Sequence, residues 1–354
     1  MGIGITQEQR ELADAMRGWV ARAAPPEEVR KLLDTAPRTG VRPAYWDALV
    51  DSGLLAPHLE GGTLLDLAVV VEEAARGALP GAFLPSALAS VLLQLAGAAP
   101  LDGRVGAAAL GPGTLTAVAV EGGGHLLDGT APPVLGAGEA DLVVLAAEAA
   151  HGTLWFAVDA AALDIRTHES ADPTRPTAEV RARGVSVPPG RLLPLEAALV
   201  RDAACVLFAA DACGTAAWTL HTAAEYAKVR EQFGRPIGRF QGIKHLCADM
   251  LVRLEQARAL AWDAAQAMDE EPDVRSLAAA LAAGTALDAA YSCAKDCIQV
   301  LGGIGFTWEH DAHIYLRRAL VARQLLGSGD GHRLRAVRLA AGGARRELRL
   351  ELPP

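Results

Sequence analysis

Two short segments of the chain carry side chains suited to holding an anionic, planar ligand. The first is Arg-Glu-Gln-Phe-Gly-Arg-Pro-Ile-Gly at 230–238, and the second is Gln-Val-Leu-Gly-Gly-Ile-Gly-Phe-Thr-Trp-Glu at 299–309. A guanidinium fork matches the oxygens of a pyrophosphate, an aromatic ring can cover an adenine, and an amide can hydrogen-bond a ribose. Glycines let a backbone approach a ligand closely because no Cβ intervenes. The candidate binding residues are Arg230, Phe233, Gln241, Gln299, Gly302 and Gly303.

The residue types alone leave a second interpretation open. Arg230 also suits a solvated cation at the end of a helix, and Gly302 and Gly303 suit an ordinary turn between two helices. Both segments lie in long Ala/Leu-rich surroundings of helical character. The residues by themselves therefore favour a structural turn over a ligand site.

Three regions of different character follow one another along the chain. Residues 1–105 are predicted to be helical, with Thr6 as an N-cap and Gly53 as a helix stop. Residues 106–198 contain short β-branched runs separated by Gly, Pro and Asp, which predicts a small β-domain. Residues 199–354 are predicted to be helical again.

The C-terminal region is predicted to form an up-down four-helix bundle. Its breaks fall at 234–236, 271–272 and 302–303, where Gly and Pro supply the turns that a bundle needs. The predicted helices span roughly 196–230, 239–268, 273–300 and 309–325. The predicted fold class is therefore mainly α with a small central β-domain.

Charge and composition argue against several classes of partner. The net charge of −9 argues against nucleic acid, because neutralising a phosphate backbone needs a basic face. The hydrophobic fraction is 51%, but charges, Gly and Pro are expected to break the apolar stretches well short of a membrane span. Residues 1–10 lack the basic-then-apolar pattern of a signal peptide, so a cytoplasmic protein is expected.

Two groupings of potential metal ligands occur, and neither is predicted to bind a metal. Cys293 and Cys297 lie four residues apart on one helix face without a second pair at ligand spacing. His310 and His313, with the preceding glutamate, span more than one helix face and converge poorly. This second grouping is instead typical of a helix start, with Thr307 as its cap.

Taken together, the two glycine-containing segments resemble the signatures of the C-terminal helical domain of flavin-dependent acyl-CoA dehydrogenases. Residues 67–76 and 81–85 resemble the N-terminal domain of the same family, and 127–142 resembles the centre of its middle domain. The resemblance covers nearly the whole chain and is most specific in its last part. It implies an N-terminal helical domain, a middle β-domain and a C-terminal four-helix bundle.

The resemblance also implies a reaction and its participants. In this family the positions that match the six candidate residues bind the ADP half of FAD, which belongs mainly to a neighbouring subunit of the tetramer. The implied cofactor is therefore FAD, and the implied substrate is a CoA thioester that undergoes α,β-desaturation. The implied electron acceptor is an electron-transfer flavoprotein.

The chain departs from the family at the catalytic base. The common base is a glutamate shortly after the Gly-Gly-x-Gly-Phe motif, and counting forward without a gap places Leu326 there. Some members carry the base on the first bundle helix, where counting back from Arg230 places Ala204. Neither side chain can accept a proton. Asp330 and Asp202 are the nearby carboxylates that would have to substitute.

A second departure concerns the middle domain. The loop that wraps the flavin ring in this family is not recognisable in residues 111–124, and the domain looks shortened. A chain that keeps the ADP-binding positions without the base and the ring loop resembles the degenerate subunit of the heteromeric α2β2 acyl-CoA dehydrogenases of bacterial sterol side-chain breakdown. This resemblance implies a heterotetramer with a homologous partner subunit.

Three hypotheses follow from these observations. The leading one is a non-catalytic subunit that completes the FAD site of a catalytic partner in a heteromeric acyl-CoA dehydrogenase. The second is a self-sufficient homomeric enzyme with an unusual base such as Asp330. The third is a non-redox protein of the same fold.

Overall fold

The structure is a computed structural model that describes residues 4–37 and 39–346. Its helices are α1 (Gln7–Ala23), α2 (Pro26–Lys31), α3 (Trp46–Asp51), α4 (Leu64–Arg76), α5 (Phe83–Leu95), α6 (Ala197–Val229), α7 (Gln241–Gln266), α8 (Pro272–Leu301), α9 (Ala312–Leu326) and α10 (Gly329–Ala341). The predicted fold class is confirmed, because helices precede and follow a central group of strands.

The strands form one mixed sheet and one small hairpin. The sheet contains β1 (Gly106–Ala108), β2 (Thr116–Ala119), β3 (His125–Thr130), β4 (Val134–Leu135), β5 (Leu142–Ala149), β6 (Gly152–Asp159), β7 (Asp164–Thr167), β8 (Thr177–Val187) and β9 (Leu192–Leu193). Its order is β4-β8-β3-β2-β5-β6-β9, with β1 beside β5 and β7 beside β8. The hairpin pairs β10 (Glu231–Gln232) with β11 (Arg235–Pro236).

Contacts divide the chain into two compact units. The bundle unit comprises Met1–Pro26, Thr63–Leu79 and Cys205–Pro354, and the sheet unit comprises Glu27–Gly62 and Pro80–Ala204. The N-terminal region thus contributes to both units. The division into domains at 1–105, 106–198 and 199–354 stays a prediction.

The bundle unit is built on two long, apolar helices. Over an 18-residue window, α6 and the segment Pro272–Phe306 are apolar enough to cross a membrane, and 89% and 72% of these windows are buried inside the protein. The expectation that charges and Gly/Pro break such stretches early is therefore wrong for these two helices. Core helices that are apolar on all sides satisfy the same criterion, so length and composition are weak evidence for a membrane.

Ion pairs fix α4 within the bundle unit. Its buried Glu72 accepts from Arg258 of α7 at 2.8 Å, and its buried Glu73 accepts from Arg17 of α1 at 2.7 and 2.8 Å. A buried carboxylate is tolerated where a guanidinium satisfies it. These pairs therefore specify how α1 and α7 pack around α4.

One face of the central strands of the sheet unit carries a buried apolar cluster. Successive side chains of a strand point to opposite faces, and Val143 and Leu145 of β5 join Phe156 of β6 and Leu127 of β3 in one buried cluster. The hairpin of β2 and β3 turns through residues 120–124, where the Val120 N–H donates to the Gly124 carbonyl at 2.9 Å. Part of the segment expected to lack a flavin-ring loop is thus an ordinary β-turn.

Helix boundaries agree closely with the predicted ones, with one exception. Thr6 caps α1 through a capping box with Gln9, and Pro272 begins α8, as the pattern predicts. However, α9 begins at Ala312 rather than at 309, and Thr307 does not cap it. The Thr307 hydroxyl instead donates to the Ile304 carbonyl at 2.8 Å and closes the preceding 3₁₀ turn.

Candidate functional site

The first predicted segment forms a tight hairpin between α6 and α7. The Arg230 N–H continues the helix by donating to the Tyr226 carbonyl at 2.9 Å, and the Ile237 N–H donates to the Arg230 carbonyl at 2.8 Å. Phe233 and Gly234 form the two-residue loop, with φ angles of 54° and 74°. Two successive positive φ angles are typical of a type I′ turn, which normally favours Asn or Gly at the first position.

Phe233 at that position is both strained and exposed. A bulky residue with positive φ is an outlier in backbone conformation, and 91% of Phe233 is accessible to solvent. Its ring meets Phe240 edge-on with centroids 6.1 Å apart, and the Arg235 guanidinium lies 4.3 Å from the centre of the Phe240 ring. Strain that displays an aromatic ring outside the core indicates a ligand or a partner rather than packing.

The second predicted segment ends α8 and forms the opposite wall. Gly302 has φ 65° and ψ −136°, and its N–H donates to the Ile298 carbonyl as the helix C-cap. A Cβ added to Gly302 or Gly303 would have no atom within 4 Å, whereas one at Gly305 would lie 2.9 Å from the Cβ of Leu301. Gly305 is therefore needed for packing, while Gly302 and Gly303 leave exposed backbone next to open space.

The two segments enclose one open groove within the bundle unit. It has a volume of about 550 Å³ and combines one cation, three aromatic rings and exposed glycines. Its lining residues are Tyr226, Arg230, Gln232, Phe233, Ile237, Phe240, Gly242, Ile243, Val300, Leu301, Gly302, Gly303 and Ile304. Four of the six predicted residues, namely Arg230, Phe233, Gly302 and Gly303, are thus brought together.

The positive charge of Arg230 in this groove is not neutralised by an acidic side chain of the described residues. Arg230 is exposed, and no carboxylate of the described residues pairs with its guanidinium. An unpaired guanidinium beside exposed backbone suits a phosphate group, to which it can donate in bidentate fashion. The neighbouring rings suit a planar heterocycle.

The other two predicted residues lie at the margin. Gln241 is the first residue of α7 and Gln299 lies in the last turn of α8, and both are exposed but outside the groove lining. The sequence prediction also missed Tyr226 and Phe240. Tyr226 lies four residues before Arg230, so helical spacing places both on one face; Phe240 had no comparable signal.

The positions expected to hold a base carry no proton acceptor. Leu326 is the last residue of α9, and Ala204 is completely buried in α6. Asp202, in the same helix, is also completely buried. Asp330 is at the surface, and the hydrogen bond from Arg333 at 2.7 Å holds the pKa of Asp330 below its ordinary value. A lowered pKa makes a carboxylate a weaker base.

A buried histidine fixes the turn after α9. His332 is 6% exposed, and its Nε2 lies 3.0 Å from the Leu326 carbonyl oxygen. A carbonyl can only accept, so Nε2 donates to it, and Nδ1 of the same ring lies 3.8 Å from the Cys205 sulfur. The sequence gives no local signal for this contact.

The histidines near the start of α9 pack against different rings. His310 meets Trp218 with centroids 6.3 Å apart, and His313 meets Trp308 at 4.8 Å. Burial lowers the pKa of His313 below its ordinary value. Cys293 and Cys297 are buried in α8, where burial raises the pKa of each thiol to about 12.

Comparison with known proteins identifies the family. The model of the acyl-CoA dehydrogenase C-terminal domain matches residues 203–340. The chain is 38% identical over 371 residues to acyl-CoA dehydrogenase FadE34 of Mycobacterium tuberculosis, a match covering 98% of this chain and 50% of that protein. It is 34% identical over 329 residues to acyl-CoA dehydrogenase IpdE2 of the same organism, covering 91% of this chain and 94% of that protein. The chain thus spans about half the length of FadE34.

Solved structures of similar fold include two whose names join two proteins. A chain of the ChsE4–ChsE5 complex from Mycobacterium tuberculosis matches with a TM-score of 0.88 and 25% identity, covering 98% of this chain and 100% of that one. A variant of the Tcur3481–Tcur3483 steroid ACAD matches with a TM-score of 0.85 and 27% identity, covering 95% and 98%. With a full-length relative at 34% identity, this chain belongs to the acyl-CoA dehydrogenase family.

Proposed function

We propose that this chain is a cytoplasmic, non-catalytic subunit of a heteromeric FAD-dependent acyl-CoA dehydrogenase. In this proposal it contributes the ADP half of an FAD site and stabilises a heterotetramer through its helical bundle. A homologous subunit supplies the flavin-ring cradle and the catalytic glutamate. The complex desaturates the α,β bond of a CoA thioester and passes electrons to an electron-transfer flavoprotein.

The observation that carries this proposal is the contrast between an intact groove and empty base positions. The groove fits an adenine nucleotide in chemistry, since Arg230 is unpaired among the described residues and the backbone at Gly302 and Gly303 is exposed. Arg230 would bind the pyrophosphate, Phe233 would cover the adenine, and the two glycines would let the main chain approach. When bound, the flavin supplies an acceptor for the hydride that leaves the substrate.

The two positions expected to hold the base offer no group for the accompanying proton transfer. Leu326 and Ala204 stand at the two base positions and have alkyl side chains. The alternative that uses Asp330 is disfavoured, because that carboxylate is exposed and paired with Arg333. Proton abstraction therefore falls to the partner, while this chain binds and orients the cofactor.

The similar proteins support a heteromer and a sterol-like substrate. Among the similar structures, the two described above carry names that join two proteins, and one of them is called a steroid ACAD. The match to half of FadE34 leaves the other half of that protein without a counterpart in this chain. We therefore propose a CoA thioester with a steroid-derived acyl group.

Reconstitution tests the proposal. This chain and a homologous acyl-CoA dehydrogenase subunit are purified separately and together, and desaturation of a steroid-derived CoA thioester is followed with an artificial electron acceptor. The proposal expects co-elution in size-exclusion chromatography and turnover by the complex alone. Turnover by this chain alone would instead favour the homomeric enzyme.

A further inference from the structure

Glu139 is a partly buried residue far in sequence from the groove, and the proposed function does not use its carboxyl group. It ends the 3₁₀ turn Ala137–Glu139 between β4 and β5 of the sheet unit. The Ala82 backbone N–H approaches the carboxyl group. The oxygen Oε2 is buried and has no hydrogen-bond partner among the described residues. An unsatisfied buried carboxylate is costly.

Groups from two other segments converge on that oxygen. A Cβ built on Gly81, whose φ is 79°, would lie 2.8 Å from Glu139 Oε2, 2.8 Å from Pro43 and 3.3 Å from the Tyr45 hydroxyl. The Tyr45 hydroxyl itself donates to the Pro80 carbonyl. Segment 39–45 therefore closes over the turn at 80–82 with the Glu139 carboxyl between them.

Segment 39–45, like the turn at 80–82, contains no helix or strand. Its contacts include the Gly40 N–H donating to the Gly138 carbonyl at 2.6 Å and the Thr39 hydroxyl lying 2.8 Å from that of Thr167. Irregular segments with few backbone hydrogen bonds open at low free-energy cost.

The charged groups around Glu139 are already paired. Arg42 of the same segment contacts Asp47 and Asp141, each at 3.1 Å. The Gly81 N–H donates to the carbonyl of Thr174 in a neighbouring loop. In that loop Arg175 pairs with Asp172 at 3.3 Å. These pairs leave the desolvation of the carboxyl uncompensated, and burial raises the pKa of Glu139 to about 7.

We propose that Glu139 is a proton-operated lock: in its neutral form it holds residues 39–45 closed over the turn at 80–82, and its ionisation opens that segment to water. The neutral carboxyl keeps the Ala82 contact through its carbonyl oxygen. The ionised carboxyl gains free energy by hydration, which requires the segment to move away. The device operates in the sheet unit whether or not this chain binds FAD.

The direction of the pH effect follows from the raised pKa. A carboxyl whose pKa is higher in the closed state stabilises that state fully below its ordinary value of 4.5. This stabilisation is lost as the pH rises from 4.5 through about 7, and the equilibrium levels off roughly one pH unit higher. Between pH 5 and pH 8 the opening equilibrium should rise by roughly 70-fold.

Hydrogen exchange measured by mass spectrometry tests the lock on the intact chain. Peptides covering 39–46 and 80–86 are followed at pH 5 and pH 8, with correction for intrinsic base-catalysed exchange. Wild-type protein should lose protection in both peptides at pH 8, while Glu139→Gln, neutral at both pH values, should stay protected. Glu148→Gln removes an exposed carboxylate from β5 and should behave as wild type.

Two results would overturn the lock. The first is equal protection from hydrogen exchange at pH 5 and pH 8 for residues 39–46 of the wild-type protein, a result that does not depend on any variant folding. The second is an unchanged pH dependence in Glu139→Gln, because the titrating group would then be another one.

Discussion

The helices α8 and α9 end with a similar backbone conformation, but the end of α8 is open to solvent and the end of α9 is covered by a side chain. Each helix ends at a glycine with positive φ, Gly302 at 65° and Gly327 at 100°, whose N–H donates back to a carbonyl of the last turn. At the end of α8 the backbone at Gly302 and Gly303 faces open space, beside Arg230, whose guanidinium pairs with no carboxylate in the described part of the chain. At the end of α9 the Nε2 of the buried His332 donates a hydrogen bond to the carbonyl of Leu326, the last residue of the helix. In both places the glycine ends the helix. Whether the backbone there can also contact a ligand depends on whether neighbouring side chains cover it.

Removal of His332 should have the largest effect on stability. His332→Ala leaves the Leu326 carbonyl without its donor and creates a cavity, which should lower the free energy of unfolding by about 2–4 kcal/mol. Chemical denaturation measures this loss. Arg338→Ala, an exposed change in the same helix, is the control and should be near neutral. The folded His332→Ala variant should still bind FAD in the complex. Weakened FAD binding would contradict the separation between a structural helix end at α9 and a binding helix end at α8.

Removal of Arg230 should show the reverse pattern. Arg230→Ala loses a charge-assisted phosphate contact of about 1.5–3 kcal/mol, which corresponds to FAD binding weaker by roughly 10–150-fold in the complex. Stability should hardly change, because the side chain is exposed. Flavin fluorescence titration measures the affinity, with Arg239→Ala as an exposed control outside the groove lining. Unchanged FAD retention would remove Arg230 from the site.

Alanine variants at two neighbouring glycines distinguish the effect of backbone strain from the effect of blocking a ligand's approach to the main chain. Gly302→Ala should cost about 1–3 kcal/mol of stability, because φ 65° with ψ −136° is a backbone conformation that side-chain-bearing residues disfavour. Gly303→Ala lacks that strain and has free space at Cβ, so its stability should be unchanged. Both should weaken FAD binding if the main chain touches the cofactor. Thermal unfolding and flavin titration of both variants decide this, and normal binding by Gly303→Ala would argue against close approach there.

The smallest effect is expected where the missing base is put back. Leu326→Glu introduces a carboxylate at the end of α9, but the isolated chain should still show no turnover, because this proposal assigns the flavin-ring cradle to the partner. The assay is desaturation with an artificial electron acceptor, and unmodified chain is the control. Measurable turnover by the isolated variant would mean that the sheet unit retains a working ring site.

Features set by local sequence could be predicted, and contacts between distant segments could not. Helix periodicity, Pro272 and the breaks at 234–236 and 302–303 determine α6 to α8 locally. The hairpin at Phe233 was not predicted, because a bulky residue is unusual at its positive φ. The start of α9 was misplaced because the Thr307 hydroxyl bonds backward to Ile304. His332 meeting Leu326 and Cys205, and Glu139 enclosed by 39–45, depend on how separate segments pack.

The flavin content of this chain purified alone, compared with that of its complex with a homologous subunit, tests the central claim most directly. Visible absorbance against protein concentration gives the ratio. The account predicts little FAD on the isolated chain, because a half-site with Arg230 and the two glycines cannot hold the whole cofactor, and bound FAD in the complex. Stoichiometric FAD on the isolated chain would contradict it and identify a self-sufficient flavin site.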